Sequence, residues 1–160
     1  MSIALMTGSF NPWYDGHEDI VVKALEIFSK VIILQANNPD KKISDISWSK
    51  LQNEIKWFGK NVKGGESRIQ LVQWDGLIVD YIKDHNINTP ISGQWNPPVI
   101  SAIIRGLRNS HDFQYEMNQQ YWNEDLGLKI PIVYFITNRN LQHISSSAIR
   151  LIEKFKNLDL

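Results

Sequence analysis

The chain has 160 residues, of which 42% are hydrophobic and 21% charged, a make-up that suits one domain around one core and excludes a disordered or fibrous protein. Seventeen Lys plus Arg balance seventeen Asp plus Glu, so bulk charge argues against a protein that coats nucleic acid or an anionic membrane. The absence of cysteine removes disulfides, thiolate catalysis and Cys-ligated zinc and fits a cytoplasmic protein, while no apolar run is long enough for a signal peptide or a membrane span.

Strand-like and helix-like stretches alternate along the chain. Ile3 to Thr7 is a compact apolar run, and Asp19 to Lys30 places Ile20, Val21, Ala24, Leu25 and Phe28 on one helical face. Val31 to Ala36 reads as a buried strand, and Ser47 to Lys60 as a helix with Leu51, Ile55 and Phe58 on one side. Arg68 to Gln73 alternates as a strand, and Leu77 to His85 is a helix faced by Leu77, Ile78, Tyr81 and Ile82. Asn86 to Pro98 is rich in turn residues, lacks periodicity and reads as a loop. Val99 to Ile104 is strand-like, Asp112 to Asn123 helical, Ile132 to Thr137 a strand and Ser145 to Phe155 a final helix. The alternation predicts an α/β fold in a single domain over the whole chain: an open five-stranded parallel sheet with helices on both faces.

In such a sheet, ligands bind beyond the carboxyl ends of the strands, where the strand order reverses. The unusual segments follow strands: Gly8 to His17, Asn38 to Lys42, Arg105 to Arg108 and Thr137 to Ser147. They predict one rim carrying Lys41, Lys42, Arg105, Arg108 and Arg139, a basic mouth for an anion of several charges. In TGSFNPWYDGH, Gly8 lets a backbone approach a ligand, Ser9 adds a hydroxyl, and helix-start amides around Gly16 and His17 are expected as free donors. Gly and polar residues are also common at helix starts, where Gly16 would only shape a turn and His17 only cap a helix. In RGLRNSHDFQYE, Arg105 and Arg108 are spaced to grip two phosphates through their guanidinium forks, or else form a solvated charge pair capped by Asp112. Tyr115 and Glu116 are ordinary helix residues by pattern. In HISSSAIR, any of Ser145 to Ser147 is a candidate N-cap; the three hydroxyls would also suit a nucleotide phosphate, with Arg150 one turn further in. His111 and His143 lack metal-ligand spacing.

Gly8-Ser9-Phe10-Asn11-Pro12 with Gly16-His17, and Ile144-Ser145-Ser146-Ser147 with Arg150, resemble the nucleotidylyltransferase superfamily that carries TxGH and ISSTxxR motifs. The block Arg105-Gly106-Leu107-Arg108 with Asp112 to Glu116, supported by Asn38 to Lys42, Gly76 to Asp80 and Asn123, narrows the resemblance to the phosphopantetheine adenylyltransferase family, across residues 3 to 153. The resemblance implies a Rossmann-like fold and a cytoplasmic homohexamer of the coenzyme A pathway. It implies transfer of AMP from ATP to 4'-phosphopantetheine, with Mg2+ bound through the ATP phosphates and no metal site on the protein. By the same resemblance His17, Lys41 and Arg105 are catalytic, and Ser9, Lys41, Ile78, Arg105 and Asn123 bind the acceptor. ATP would be held by Gly8, Ser9, Phe10, His17, Gly106, Leu107, Arg108 and Glu116, with Leu141, Gln142, His143, Ile144, Ser145, Ser146 and Ser147. Two alternatives stay open: another phosphorylated acceptor such as nicotinamide mononucleotide, and a nucleotide-binding scaffold with weakened catalysis. Tyr14 stands where the family has Thr or His, Asn11 where it has Asp, and Thr89 to Pro98 has the look of an insertion.

Overall fold

The computed structural model describes residues 2–36, 45–88 and 99–156. Five strands, β1 (Ser2–Gly8), β2 (Lys30–Ala36), β3 (Ile69–Trp74), β4 (Val99–Leu107) and β5 (Ile132–Ile136), form one sheet in the order β3-β2-β1-β4-β5. Every pairing is parallel, with Leu5 opposite Ile32 on one side and Ile103 on the other. The helices are α1 (Asp15–Leu25), α2 (Asp45–Asn61), the single turn α3 (Gly65–Arg68), α4 (Ile78–Asn88), α5 (Ser110–Asp125) and α6 (Ser146–Lys156). No described helix is long and apolar enough to cross a membrane.

The continuous apolar runs of β1 and β2 follow from their position: a central parallel strand is covered on both faces, so both sets of alternating side chains are apolar. One face carries Ala4, Met6, Val31, Ile33, Ala102 and Ile104 against Ile20, Val21 and Ala24 of α1 and Leu51, Ile55 and Phe58 of α2. The opposite face carries Ile3, Leu5, Ile32, Leu34 and Ile103 against Val79, Tyr81 and Ile82 of α4. The register between β1 and β4 shifts by one residue at Ile3/Ala4, with Ser101 as the extra residue. Past that bulge, Ile104 falls opposite Met6 and both belong to the α1 side.

Several element ends differ from the sequence-based expectation. Helix α1 starts at Asp15 rather than Asp19, because extended Tyr14 ends the loop and its carbonyl accepts the His17 amide at 2.8 Å. It stops at Leu25 rather than Lys30, where Arg68 donates to the carbonyls of Phe28 (2.8 Å) and Ser29 (2.9 Å). Arg68 therefore closes α3 instead of opening β3. Strand β4 continues to Leu107 because Arg105, Gly106 and Leu107 pair with Tyr134, Phe135 and Ile136. Residues Asn86 to Asn88, read as loop, finish α4; residues 89–98 lie outside the described set. Helix α5 starts at Ser110 rather than Asp112, because Asn109 caps it by accepting the Asp112 amide at 3.0 Å. Ser145 caps α6 by accepting the Ala148 amide at 3.0 Å.

Candidate active site

Strand order reverses between β1 and β4, since the chain runs from β1 outward to β3 and then returns across the sheet to β4. At the carboxyl ends of those two strands lies a cavity of about 350 Å³. Thr7, Gly8, Ser9 and Phe10 line it from β1 and its loop, Tyr14, Gly16 and His17 from the start of α1, and Arg105, Gly106 and Arg108 from β4. Asp112, Tyr115 and Glu116 of α5, Thr137, and Ser145, Ser146 and Ser147 complete the wall. The segment after β5 is anchored there by α1: Asp19 accepts the Asn138 amide at 3.0 Å, and Lys23 donates to the Ile136 carbonyl at 2.8 Å. Gly106 lets α1 approach β4, because a Cβ there would lie 2.9 Å from Cγ1 of buried Ile20.

His17 stands in a box of aromatic rings. Trp13 stacks on it at 5.1 Å between centroids, Phe10 meets it edge-on at 5.1 Å and Tyr14 lies 4.1 Å away. Burial in this box, reinforced by the Arg108 charge, lowers the imidazole pKa to about 3, so it is neutral at physiological pH. Its Nδ1 is buried without a hydrogen-bond partner. The expected free amide of His17 is not free, because it already closes the first turn onto the Tyr14 carbonyl. Only the amides of Asp15 and Gly16 remain as first-turn donors of α1 by helix geometry. The Tyr14 ring also explains Gly16: a Cβ there would be 2.4 Å from Tyr14 Cε2.

Both arginines reach the cavity, each already engaged with a carboxylate. Arg105 donates to the Thr7 carbonyl at 2.7 Å and pairs with Glu116 at 3.2 Å. Arg108 holds Asp112 through Nε (2.8 Å) and Nη2 (2.9 Å), accepts no bond itself, and extends Nη1 to the Ile144 carbonyl at 3.4 Å. Burial pushes the Asp112 carboxyl up, but hydrogen bonds from the Arg108 side chain and backbone outweigh it and hold it below its usual range. The predicted basic mouth is thus charge-balanced among the described residues. The reason is α5, which returns an acid one turn and two turns after Arg108. Arg139 belongs to the 3-10 turn Arg139–Leu141 and lies off the cavity. Arg150 also lies off it, bonded to the Asn11 carbonyl and to Ser147 Oγ. Lys41 and Lys42 fall outside the described residues.

The serines carry structural bonds as well as lining the cavity: beside the Ser145 cap, Ser146 Oγ donates to the Pro12 carbonyl at 2.9 Å. Helix geometry leaves the Ser146 and Ser147 amides as donors. Leu107, Leu141, Gln142, His143 and Ile144 flank the cavity without lining it, and Gln142 donates to the Thr137 carbonyl at 3.2 Å. Ile78 starts α4 against the second core and Asn123 sits in the last turns of α5, so neither reaches this cavity. Sequence reasoning had Thr137 in a rim segment and missed Thr7 and Tyr115 as wall residues; its alternative reading of an arginine pair capped by Asp112 is what Arg108 and Asp112 form. The four-residue step from Arg108 to Asp112 was the available signal for an ion pair.

A cytidylyltransferase-like family model matches residues 5–152. A phosphopantetheine adenylyltransferase of Borrelia turicatae is 35% identical over 100% of this chain and 87% of its own length. Its counterpart in Mycoplasma capricolum is 31% identical over 98% of this chain and 99% of its own. A crystal structure of a candidate nicotinate-nucleotide adenylyltransferase from Vibrio parahaemolyticus shares the fold, with a TM-score of 0.59 at 17% identity over 93% of this chain and 78% of that one. With its parallel sheet opening at the crossover of β1 and β4 and near full-length relatives, the chain belongs to the cytidylyltransferase-like family of nucleotidyltransferases, on the branch of the phosphopantetheine adenylyltransferases.

Proposed function

We propose that the cavity binds ATP and 4'-phosphopantetheine and transfers AMP between them, releasing dephospho-coenzyme A and pyrophosphate. The observation that carries this reading is the convergence of Ser9, His17, Arg105, Arg108 and Ser145–Ser147 on one cavity at the crossover point. An oxygen of the acceptor phosphate attacks the α-phosphorus, the bond to the bridging oxygen of pyrophosphate breaks, and the protein forms no covalent intermediate. Such a reaction asks for alignment and charge stabilisation more than for acid or base groups. Neutral His17 donates a hydrogen bond to the α-phosphate as charge accumulates. Arg105 holds the acceptor phosphate with Ser9 and, by resemblance, Lys41. Arg108 and the first-turn amides of α6 hold the triphosphate. Asp112 and Glu116 keep the two guanidinium groups aimed into the cavity before substrate enters.

The cavity carboxylates are both committed to arginine, which fits magnesium carried on the triphosphate rather than on a protein cage. Carried there, magnesium would supply positive charge against the departing pyrophosphate. Ile78 and Asn123 keep their assignment to the pantetheine arm on the resemblance alone. The setting we assign is a cytoplasmic homo-oligomer, a hexamer by the same resemblance.

Incubation with ATP, magnesium and 4'-phosphopantetheine should yield pyrophosphate and dephospho-coenzyme A in equal amounts. Pyrophosphate formed only with another acceptor, such as nicotinamide mononucleotide, would overturn the acceptor. ATP binding without turnover for any acceptor would overturn the enzyme reading.

A further inference from the structure

The buried polar side chains among the described residues are Thr7, Gln35 and Thr137, all at the carboxyl ends of strands around the cavity. Gln35 is the largest of them and is 0% exposed. It lies at the end of β2 beside Gly8, in a strand otherwise made of Val, Ile, Leu and Ala between its two ends. Burying an amide in an apolar strand is unfavourable unless its hydrogen bonds are used. Gln35 uses one: Nε2 donates to the Ser9 carbonyl at 3.0 Å, while Oε1 is buried with no partner. The nearby carbonyl settles which end of the amide is the nitrogen, since an oxygen facing it would be repelled.

That single bond fixes the peptide joining Ser9 to Phe10. In a trans peptide, C=O and N–H point to opposite sides, so a Ser9 carbonyl drawn toward β2 sends the Phe10 N–H away from it. Phe10 itself has a left-handed backbone (φ 47°) and is 4% exposed, its ring centroid 5.1 Å from that of His17. Both Ser9 and Phe10 line the cavity.

We propose that Gln35, which does not itself line the cavity, is a positioning residue that turns the Ser9–Phe10 peptide so that the Phe10 N–H faces the phosphates of the bound nucleotide. The inference rests on the adenylyl transfer reading and deepens it. The donor is a backbone amide that the arginine counter-ions do not engage, so it is available without displacing Asp112 or Glu116.

The test is Gln35→Met, which matches the side-chain length and removes the donor together with the unpartnered oxygen. Loss of one hydrogen bond to a charged group predicts a KM for ATP raised roughly tenfold with kcat within about twofold, because the bond is made to bound substrate and transition state alike. Thermal stability should be unchanged or higher, since the buried oxygen without a partner is gone; a merely structural role would instead lower stability and leave KM unmoved. A second measurement needs no variant: the Phe10 amide resonance of the full chain should shift on titration with magnesium ATP. An unaltered KM in Gln35→Met, or a Phe10 amide that ignores ATP, would overturn the proposal. If the wild-type chain binds ATP and makes no pyrophosphate, the adenylyl transfer reading falls while the Phe10 resonance still decides the role of Gln35.

Discussion

At the scale of single residues, His17 shows how an environment assigns a task. Three rings exclude water from the imidazole, and Arg108 adds positive charge nearby, so both effects favour the neutral form. A neutral imidazole donates a hydrogen bond at any physiological pH without first losing or gaining a proton. His17→Ala should therefore retain ATP binding in calorimetry while turnover falls roughly a hundredfold or more, as for loss of a transition-state donor. The same residue makes stability depend on pH. Its folded pKa of about 3 lies below the ordinary 6.5, so between those values the unfolded chain binds the extra proton. Stability is then full above pH 6.5 and declines as pH falls toward 3, by up to about 1.4 kcal/mol per pH unit. Thermal melts of wild type and His17→Asn between pH 7 and 4 check this: the wild-type curve should fall more steeply. What the sequence alone showed at this residue was its place in a loop-to-helix handover. Its amide was misjudged because the helix start depends on the extended backbone of Tyr14, which no local pattern encodes.

At the scale of elements, the site is set by how two of them are spaced. Helix α1 crosses the carboxyl end of β4 at Gly106, where only hydrogen fits against Ile20. Gly106→Ala should force the helix away or distort Ile20, costing about 1–3 kcal/mol as overpacking does, read as a lower melting temperature. The displacement carries His17 with α1 and Arg108 with β4, so turnover should fall even where the chain remains folded. The apolar faces of α1, α2 and α4 were legible from 3.6-residue periodicity, except that Leu77, read onto the α4 face, precedes the helix and is 53% exposed. The final residues of β4 were not. Arg105, Gly106 and Leu107 have no strand-like alternation, and they are extended because β5 offers them a ladder of partners. The ion pairs of α5 likewise depend on that extension, which aims Arg105 at Glu116.

Across the molecule, the unbalanced feature is the apolar surface that α5 and α6 leave exposed. Helices α5 and α6 bury no residue fully in the single chain. Leu151, Ile152 and Phe155 of α6 are 56%, 55% and 60% exposed, and Tyr121 and Trp122 of α5 are exposed as well. Amphipathic helices keep apolar side chains outward when another surface covers them. The chain should therefore elute as a homo-oligomer with a mass by light scattering above 18.5 kDa. Ile152→Glu combined with Phe155→Glu should release the monomer with its circular dichroism unchanged. A wild-type monomer at micromolar concentration would contradict this expectation.

The class of sheet, most of the faces that form its two cores and three of the four segments expected at its carboxyl rim could be read from the sequence; the fourth, Asn38 to Lys42, lies outside the described residues. Those are properties of local periodicity and of the short loops after apolar runs, and both are written in neighbouring residues. The pairing of Arg105 and Arg108 with α5 carboxylates, the neutrality of His17 and the grip of Gln35 on the Ser9 carbonyl came from the folded arrangement alone. Each of these arises where groups far apart along the chain are brought together and water is excluded. Electrostatic and hydrogen-bond energies there follow distance and burial, which no stretch of sequence contains on its own.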